Sequence, residues 1–167
     1  NVRHELGDYS RSDELFAQAL AAVPGNPQIR YDYALALLSR GEFSRGWELF
    51  EARWDAHHVA ERMQYPQPEW RGEPLAGKRL LVWGEQGLGD EIMFASCLPQ
   101  LIGDAASCTI ECSPKLLPIF TRSFPEARCV AAAAPDAHAG ARYDCEVPLG
   151  SLPLYYRRSG QDFPQHK

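Results

Sequence analysis

The sequence predicts a two-part fold: helical hairpins, followed by an α/β domain built on a parallel sheet. Three observations predict it. A ten-residue pattern recurs at an offset of 34 residues near the amino end. A proline-rich stretch then interrupts the chain. Beyond Lys78, short apolar runs alternate with helical patterns, which is how strands and crossover helices read. With 167 residues, the chain can bury one real core or two small ones.

Composition narrows the class. Hydrophobic residues make up 45% and charged ones 23%, ordinary values that exclude a disordered chain, a collagen-like repeat and a coiled-coil rod. The net charge is -5, and no basic stripe occurs; the runs end at pairs such as Arg157-Arg158. A duplex nucleic-acid binder needs a basic excess, so nucleic acid is not an expected partner. No apolar run reaches the ~18 residues that span a bilayer, and the first residues show no cationic start with an apolar core and a small-residue cleavage site. The expectation is a soluble cytoplasmic protein without a membrane span. Five cysteines, Cys97, Cys108, Cys112, Cys129 and Cys145, form no Cys-x-x-Cys pair and have no histidine at zinc spacing. They read as buried reduced thiols, with no metal and no cofactor expected.

The repeat comes first along the chain. Gly7 to Phe16 (GDYSRSDELF) and Gly41 to Phe50 (GEFSRGWELF) share six of ten residues. A helix-turn-helix unit of 34 residues is the tetratricopeptide period. Gly7 and Gly41 end helices, Tyr9 and Phe43 come two residues later, and Ala19 and Pro24 sit where that repeat wants a small residue and a helix stop. The pattern thus resembles tetratricopeptide repeats over residues 1–55, about one and a half of them. Leu15, Phe16, Ala19, Leu20 and Val23 mark one helical face. Tyr33, Leu37 and Leu38 mark the next helix, and Phe43, Trp47, Phe50 and Trp54 the one after. These aromatics read as packing between repeats, with a peptide-gripping groove as the functional alternative. Asn1 falls in mid-repeat, so the chain is expected to begin inside a longer array. Roughly three repeats are needed for stability, so the last one is expected to lean on whatever follows it.

Residues 56–77 form the connector. Pro66, Pro68 and Pro74 block helix, and Trp70 is expected to pin the segment to a neighbouring surface. His57 and His58 read as helix-end residues rather than metal ligands.

Residues 78–167 form the α/β domain. Arg79–Trp83 is a continuous apolar run, the mark of a strand buried on both faces. A helical pattern with Ile92, Phe94, Ala95, Leu98 and Leu101 comes next, which Pro99 kinks or ends. Ser107–Cys112 reads as the second strand. Ser113-Pro114 then reads as a helix start, with serine as cap. Arg128–Ala131 and Tyr143–Val147 read as the third and fourth strands, and Ser151 as the cap of a last helix through Tyr156. The alanine-rich stretch 131–141 reads as a mobile loop.

The segment Gly84-Glu85-Gln86-Gly87-Leu88-Gly89-Asp90 carries the chemistry. Glycines let backbone approach a ligand, and a strand-to-helix turn aims free amides at it. Such a loop receives an anion or a sugar hydroxyl, or serves only as a tight turn. Its spacing is G-x-x-G-x-G, neither the dinucleotide pattern nor a Walker loop. Asp90 reads either as a helix-capping carboxylate or as a base at the carboxyl end of the first strand. Glu85 is a weaker catalytic candidate, and Glu91 is expected to be solvated.

The string LAGKRLLVWGEQGLGDEIMF (Leu75 to Phe94) resembles a bacterial family. In it, tetratricopeptide repeats precede a glycosyltransferase-like domain of the two-Rossmann GT-B type. Trp47 to Trp54, Pro68-Glu69-Trp70 and Val147 to Pro153 share the resemblance. The domain is similar to the bacterial heptosyltransferases, where a Gly-Asp pair after the first strand lies in the acceptor cleft. The resemblance implies a Rossmann-like amino half of a GT-B fold, with Gly89-Asp90 as that pair and Asp90 as base. It implies sugar transfer from a nucleotide-sugar donor to a hydroxyl of a sugar or protein acceptor. Glu85, Gln86, Gly87, Leu88 and Gly89 would then bind substrate, with amides steadying the acceptor or a donor phosphate. No Asp-x-Asp occurs, which fits a metal-independent mechanism. About 90 residues lie beyond Lys78, enough for most of one half. The chain is therefore expected to be a fragment, inactive alone.

Two other readings compete. One is a non-catalytic interaction scaffold, with a peptide or protein partner at the repeats. The other is a dinucleotide binder, because Glu111 lies 22 residues after Gly89, near the ~20 expected for a ribose-binding acid. The glycine spacing argues against the second.

Overall fold

Helix ends near the amino terminus are set by residues suited to the task. Gly25 takes the left-handed turn at φ 83°, the Asn26 side chain accepts the Ile29 amide at 3.1 Å, and Pro27 opens the helix. The computed structural model describes residues 9–56, 62–85, 87–134 and 136–164. It divides the chain into two units, Asn1–Arg62 with Arg157–Lys167, and Met63–Tyr156.

The first unit holds α1 (Tyr9–Ala22), α2 (Pro27–Leu38) and α3 (Phe43–Phe50), the last continued by a 3-10 turn over Glu51–Trp54. Gly7 lies outside the described residues; Gly41 ends α2 at φ 86°. Phe16 stacks on Tyr33 at 4.6 Å, and these two pack with Ala36 and Leu37 into a small core. The apolar stripe of α1 is narrower than its sequence suggests. Leu15 and Val23 are exposed, and Ser12 is buried in their place. On α3, Trp47 and Phe50 are buried and meet edge to face at 5.5 Å.

The same unit supplies the support that the last helix needs. Residues 157–164 return to α3. Trp47 Nε1 donates to the Arg157 carbonyl at 2.9 Å, and Phe43 packs on Phe163 at 4.8 Å. Arg158 reaches both Glu48 and Ser44 at 3.0 Å. A returning segment thus covers apolar helix surface that a further repeat would otherwise bury.

The second unit is built on a sheet of four parallel strands among the described residues: β1 (Arg79–Trp83), β2 (Ser107–Cys112), β3 (Arg128–Ala131) and β4 (Cys145–Pro148). Their order is β3-β2-β1-β4. The first three occupy the limits their apolar runs predict. The fourth lies two residues later at its start and one at its end, because Tyr143 and Asp144 serve the loop and the strand entry. Asp144 grips Arg79 through paired bonds of 2.8 and 3.0 Å, and this guanidinium holds its carboxyl well below the usual range. Register partners share a face, so Leu81, Trp83, Thr109, Glu111 and Glu146 stand together. Leu80, Val82, Cys108, Ile110 and Val147 fill the opposite face.

Two helix expectations change. The run after β1 is α4 (Leu88–Phe94), a 3-10 turn, then α5 (Leu98–Asp104). Pro99 sits in the first turn of α5, where its missing N–H costs nothing. After β2, α6 spans Leu117–Ser123. Ser113 is not its side-chain cap; its carbonyl accepts Leu116 and Leu117 amides in a turn that leads into the helix. The last helix, α7, is Pro153–Tyr156, after a 3-10 turn at Leu149–Ser151.

From residue 63 the connector joins this unit. Trp70 N–H donates to the Glu146 carbonyl at 2.7 Å, and Glu146 N–H donates to Pro68 at 3.0 Å, so the connector lies along the free edge of β4. The Trp70 ring is buried, 4.5 Å from Tyr155. The pinning role expected of this tryptophan is thus a backbone and ring contact together.

All five cysteines are free thiols, four of them buried and Cys129 half-buried. Burial pushes Cys108 and Cys112 up to about 12. In native protein an alkylating reagent should therefore modify Cys129 first and the other four only after denaturation. Mass mapping of the labelled peptides checks this; early labelling of Cys97 or Cys112 would contradict the packing.

Candidate functional site

The glycine loop leaves β1 at Gly84, whose N–H donates to the Glu111 carbonyl at 2.8 Å. A side chain at Gly84 would meet the Glu91 carboxyl at 2.8 Å, so only glycine lets Glu91 fold back against the strand end. The carboxyl of Asp90 accepts the Gly87 N–H at 3.2 Å and closes the first turn of α4. The capping half of its two readings is therefore present in the structure. Gly89 faces open space, and Gln86 lies outside the described residues. Glu85 turns into the protein, where its Oε1 accepts the Gly150 N–H at 3.0 Å. A Cβ at Gly150 would lie 2.6 Å from that oxygen, so the two positions fit each other.

Strand order reverses between β1 and β4, and the loop leaves β1 at that switch, where open α/β sheets receive ligands. Beside it lies a cleft of about 560 Å³ over the strand ends. Gly84, Gly87, Leu88 and Glu91 form one wall. Cys112, the last residue of β2, and Ser113 to Lys115 after it form the floor, and Ala132 and Ala133, after β3, close the far side. Ala133 holds φ 60°, a left-handed backbone that costs an L residue about 1 kcal/mol or more.

Glu91 departs from the solvated position its sequence predicts. It is 7% exposed, and its Oε2 accepts the Ser113 N–H at 2.9 Å. Burial pushes its carboxyl up, and the nearby Glu111 charge adds to this, against the pull of the Ser113 amide. It therefore ties the end of β1 to the end of β2 while facing the cleft. A glutamate beside an aspartate at a helix start reads as solvent-facing. The one available signal is Gly84, a residue without a side chain at the strand end.

A second polar group carries no sequence motif, because its members are far apart along the chain. Glu111 accepts the Tyr65 hydroxyl at 3.0 Å and meets His138 Nε2 at 2.5 Å, while His138 Nδ1 contacts the Tyr143 hydroxyl at 3.1 Å. Burial, then the Glu111 charge, raises the Tyr65 phenol above its ordinary value. Beside them Trp83 Nε1 donates to Glu146. These contacts occupy both histidine nitrogens and place Glu111 within β2, not at a ribose. They also fasten the alanine-rich loop, which Ala137 anchors further through the Arg128 guanidinium. The loop expected to be mobile is held at two points. Among the described residues no three metal-ligating side chains gather, and His57 and His58 lie outside them.

Residues 3–64 match the tetratricopeptide repeat family. The chain carries tetratricopeptide repeats. Its similarity to known proteins extends beyond them. Protein FlbA of Caulobacter vibrioides is 32% identical, over 89% of this chain. Coverage of that extent reaches past residue 64 into the α/β unit. The chain spans 28% of the length of FlbA. No solved structure matches it. The repeat class carries protein-interaction surfaces, and no described helix of the chain is long and apolar enough to cross a membrane.

Proposed function

We propose that this tetratricopeptide chain supplies the repeat region and the acceptor-side half-domain of a glycosyltransferase of GT-B type. In the complete protein, a sugar would pass from a nucleotide donor to a hydroxyl of a sugar or protein acceptor. The observation that carries this reading is the position of the Gly84–Asp90 loop. It lies after the central parallel strand at the switch in strand order and borders a cleft large enough for a sugar ring. A Rossmann-like character for the sheet belongs to the same proposal, and the strand order supports it. The free thiols support a cytoplasmic setting.

In this mechanism Asp90 takes the proton of the acceptor hydroxyl as its oxygen attacks the anomeric carbon. The bond to the nucleoside diphosphate breaks, and the leaving phosphate keeps the electron pair. Gly87 and Leu88 line the cleft and position the acceptor.

Asp90→Asn tests the role. Asparagine can still accept the Gly87 N–H, so the cap survives and the melting temperature should stay within a few degrees. Transfer by the complete protein should fall about 10²–10⁴-fold, read by mass gain on the acceptor. Transfer retained, with a large melting shift, would leave Asp90 only a cap.

The repeat match favours a second reading, a non-catalytic scaffold that binds a peptide or protein partner. That reading predicts partner binding indifferent to Asp90→Asn and no turnover with any nucleotide-sugar.

A further inference from the structure

The sheet face that carries Trp83, Glu111 and Glu146 holds a polar group whose side chains line no part of the glycine-loop cleft. Its order is carboxylate, imidazole, hydroxyl. Glu111, with 8% of its side chain exposed, meets the Tyr65 hydroxyl through Oε1 and the His138 ring through Oε2. A carboxylate that accepts on both oxygens places the proton of the neutral ring on Nε2. Nδ1 then keeps its lone pair, and the Tyr143 hydroxyl lies 3.1 Å from it. A hydroxyl within reach of a base, with the base oriented by a third group, is the arrangement that activates nucleophiles for acyl transfer. The two tyrosines differ in this respect. Tyr65 donates to the carboxylate itself, and burial with the Glu111 charge raises its phenol. Tyr143 donates to the imidazole instead. The Glu111 end of the group is closed, while His138 keeps 32% of its side chain exposed and Tyr143 is half-buried, so the group opens to solvent at its hydroxyl end.

We propose that Tyr143 is an acyl-accepting nucleophile, with His138 as its base and Glu111 as a positioning residue, and that it takes a small activated ester or thioester. The Tyr143 oxygen attacks the acyl carbonyl carbon as His138 Nδ1 takes the phenol proton. The tetrahedral intermediate then collapses. The bond to the alkoxide or thiolate breaks, that group keeps the electron pair, and His138 returns the proton to it. The products are an acyl ester of Tyr143 and an alcohol or thiol. Between the two steps the imidazolium faces the Glu111 carboxylate, which favours it.

Treatment of the folded protein with p-nitrophenyl acetate tests this, with peptide mass mapping to show which tyrosine gains the acetyl group. Tyr9, 45% exposed, is the internal reference. Tyr143 should be acetylated about 10²-fold faster than Tyr9 or more, the contribution of a well-placed base. His138→Gln should bring the two rates close together. Glu111→Gln should also lower the ratio, because its carboxamide donates to Nε2 and drives the ring proton onto Nδ1. The ring nitrogen shifts of His138 should show that change of tautomer, which loss of packing alone would not produce. Glu111→Asp, which keeps a carboxylate, should recover part of the ratio. Equal acetylation of Tyr143 and Tyr9 in the wild-type protein would overturn the proposal, and that comparison stands even if no variant folds. A folded His138→Gln that keeps the full ratio would overturn it as well.

Discussion

Trp83→Ala should lower the stability of the α/β unit by about 3–5 kcal/mol, the usual cost of truncating a buried tryptophan. Trp83 ends the central strand and has no exposed surface. Its ring lies 6.0 Å from Tyr65, and its indole N–H donates to the buried Glu146. Alanine would open a cavity between β1 and the connector and would strip that donor from a carboxyl with 5% exposure. The second loss adds about 1–3 kcal/mol of its own. Trp83→Phe separates the two effects, because it keeps a ring and loses only the donor. Urea midpoints measure both: with slopes of about 1–3 kcal/mol per molar, the alanine variant should move by more than a molar unit. An unchanged midpoint for Trp83→Ala would mean that this ring is not in the core.

Trp47→Ala should have a comparable effect on the repeat unit, about 3–5 kcal/mol. Trp47 is 8% exposed, packs edge to face on Phe50, and holds the Arg157 carbonyl at 2.9 Å. The distinctive consequence lies in the returning segment. Arg157 is 1% exposed while that segment is docked. With the indole gone, residues 157–164 lose their central hydrogen bond to α3, and trypsin should cut at Arg157-Arg158 much faster. Local opening of this kind tracks the free energy of the segment, so the cleavage rate reads it directly. Equal cleavage of variant and wild type would show that the segment does not depend on Trp47.

Most of the fold is legible in the sequence because its signals are local. The 34-residue offset marks the helices, and the apolar runs at Arg79–Trp83, Ser107–Cys112 and Arg128–Ala131 mark three strands at the limits observed. Pattern fails where tertiary contacts decide. Leu15 and Val23 carry the period of a buried face but remain exposed, because the α1 core closes on Ser12 and Phe16. The site shows the same division. The loop and its place after β1 are set by glycine spacing and strand order. The burial of Glu91 depends on the absent side chain of Gly84 and on an amide 22 residues away at Ser113. The Glu111–His138 contact spans 27 residues with no motif to announce it. Glu85, placed with the substrate-binding residues by resemblance, points instead at Gly150 and shapes the loop from inside.

Whether this repeat-bearing chain belongs to a sugar-transferring protein is tested most directly in the complete natural polypeptide. The measurement incubates it with a panel of nucleotide-sugars and follows donor cleavage and acceptor mass. The expected result is an intact mass well above 18.7 kDa and turnover of at least one donor, lost in Asp90→Asn. A folded, complete polypeptide that binds a protein partner through its repeats and consumes no nucleotide-sugar would contradict it.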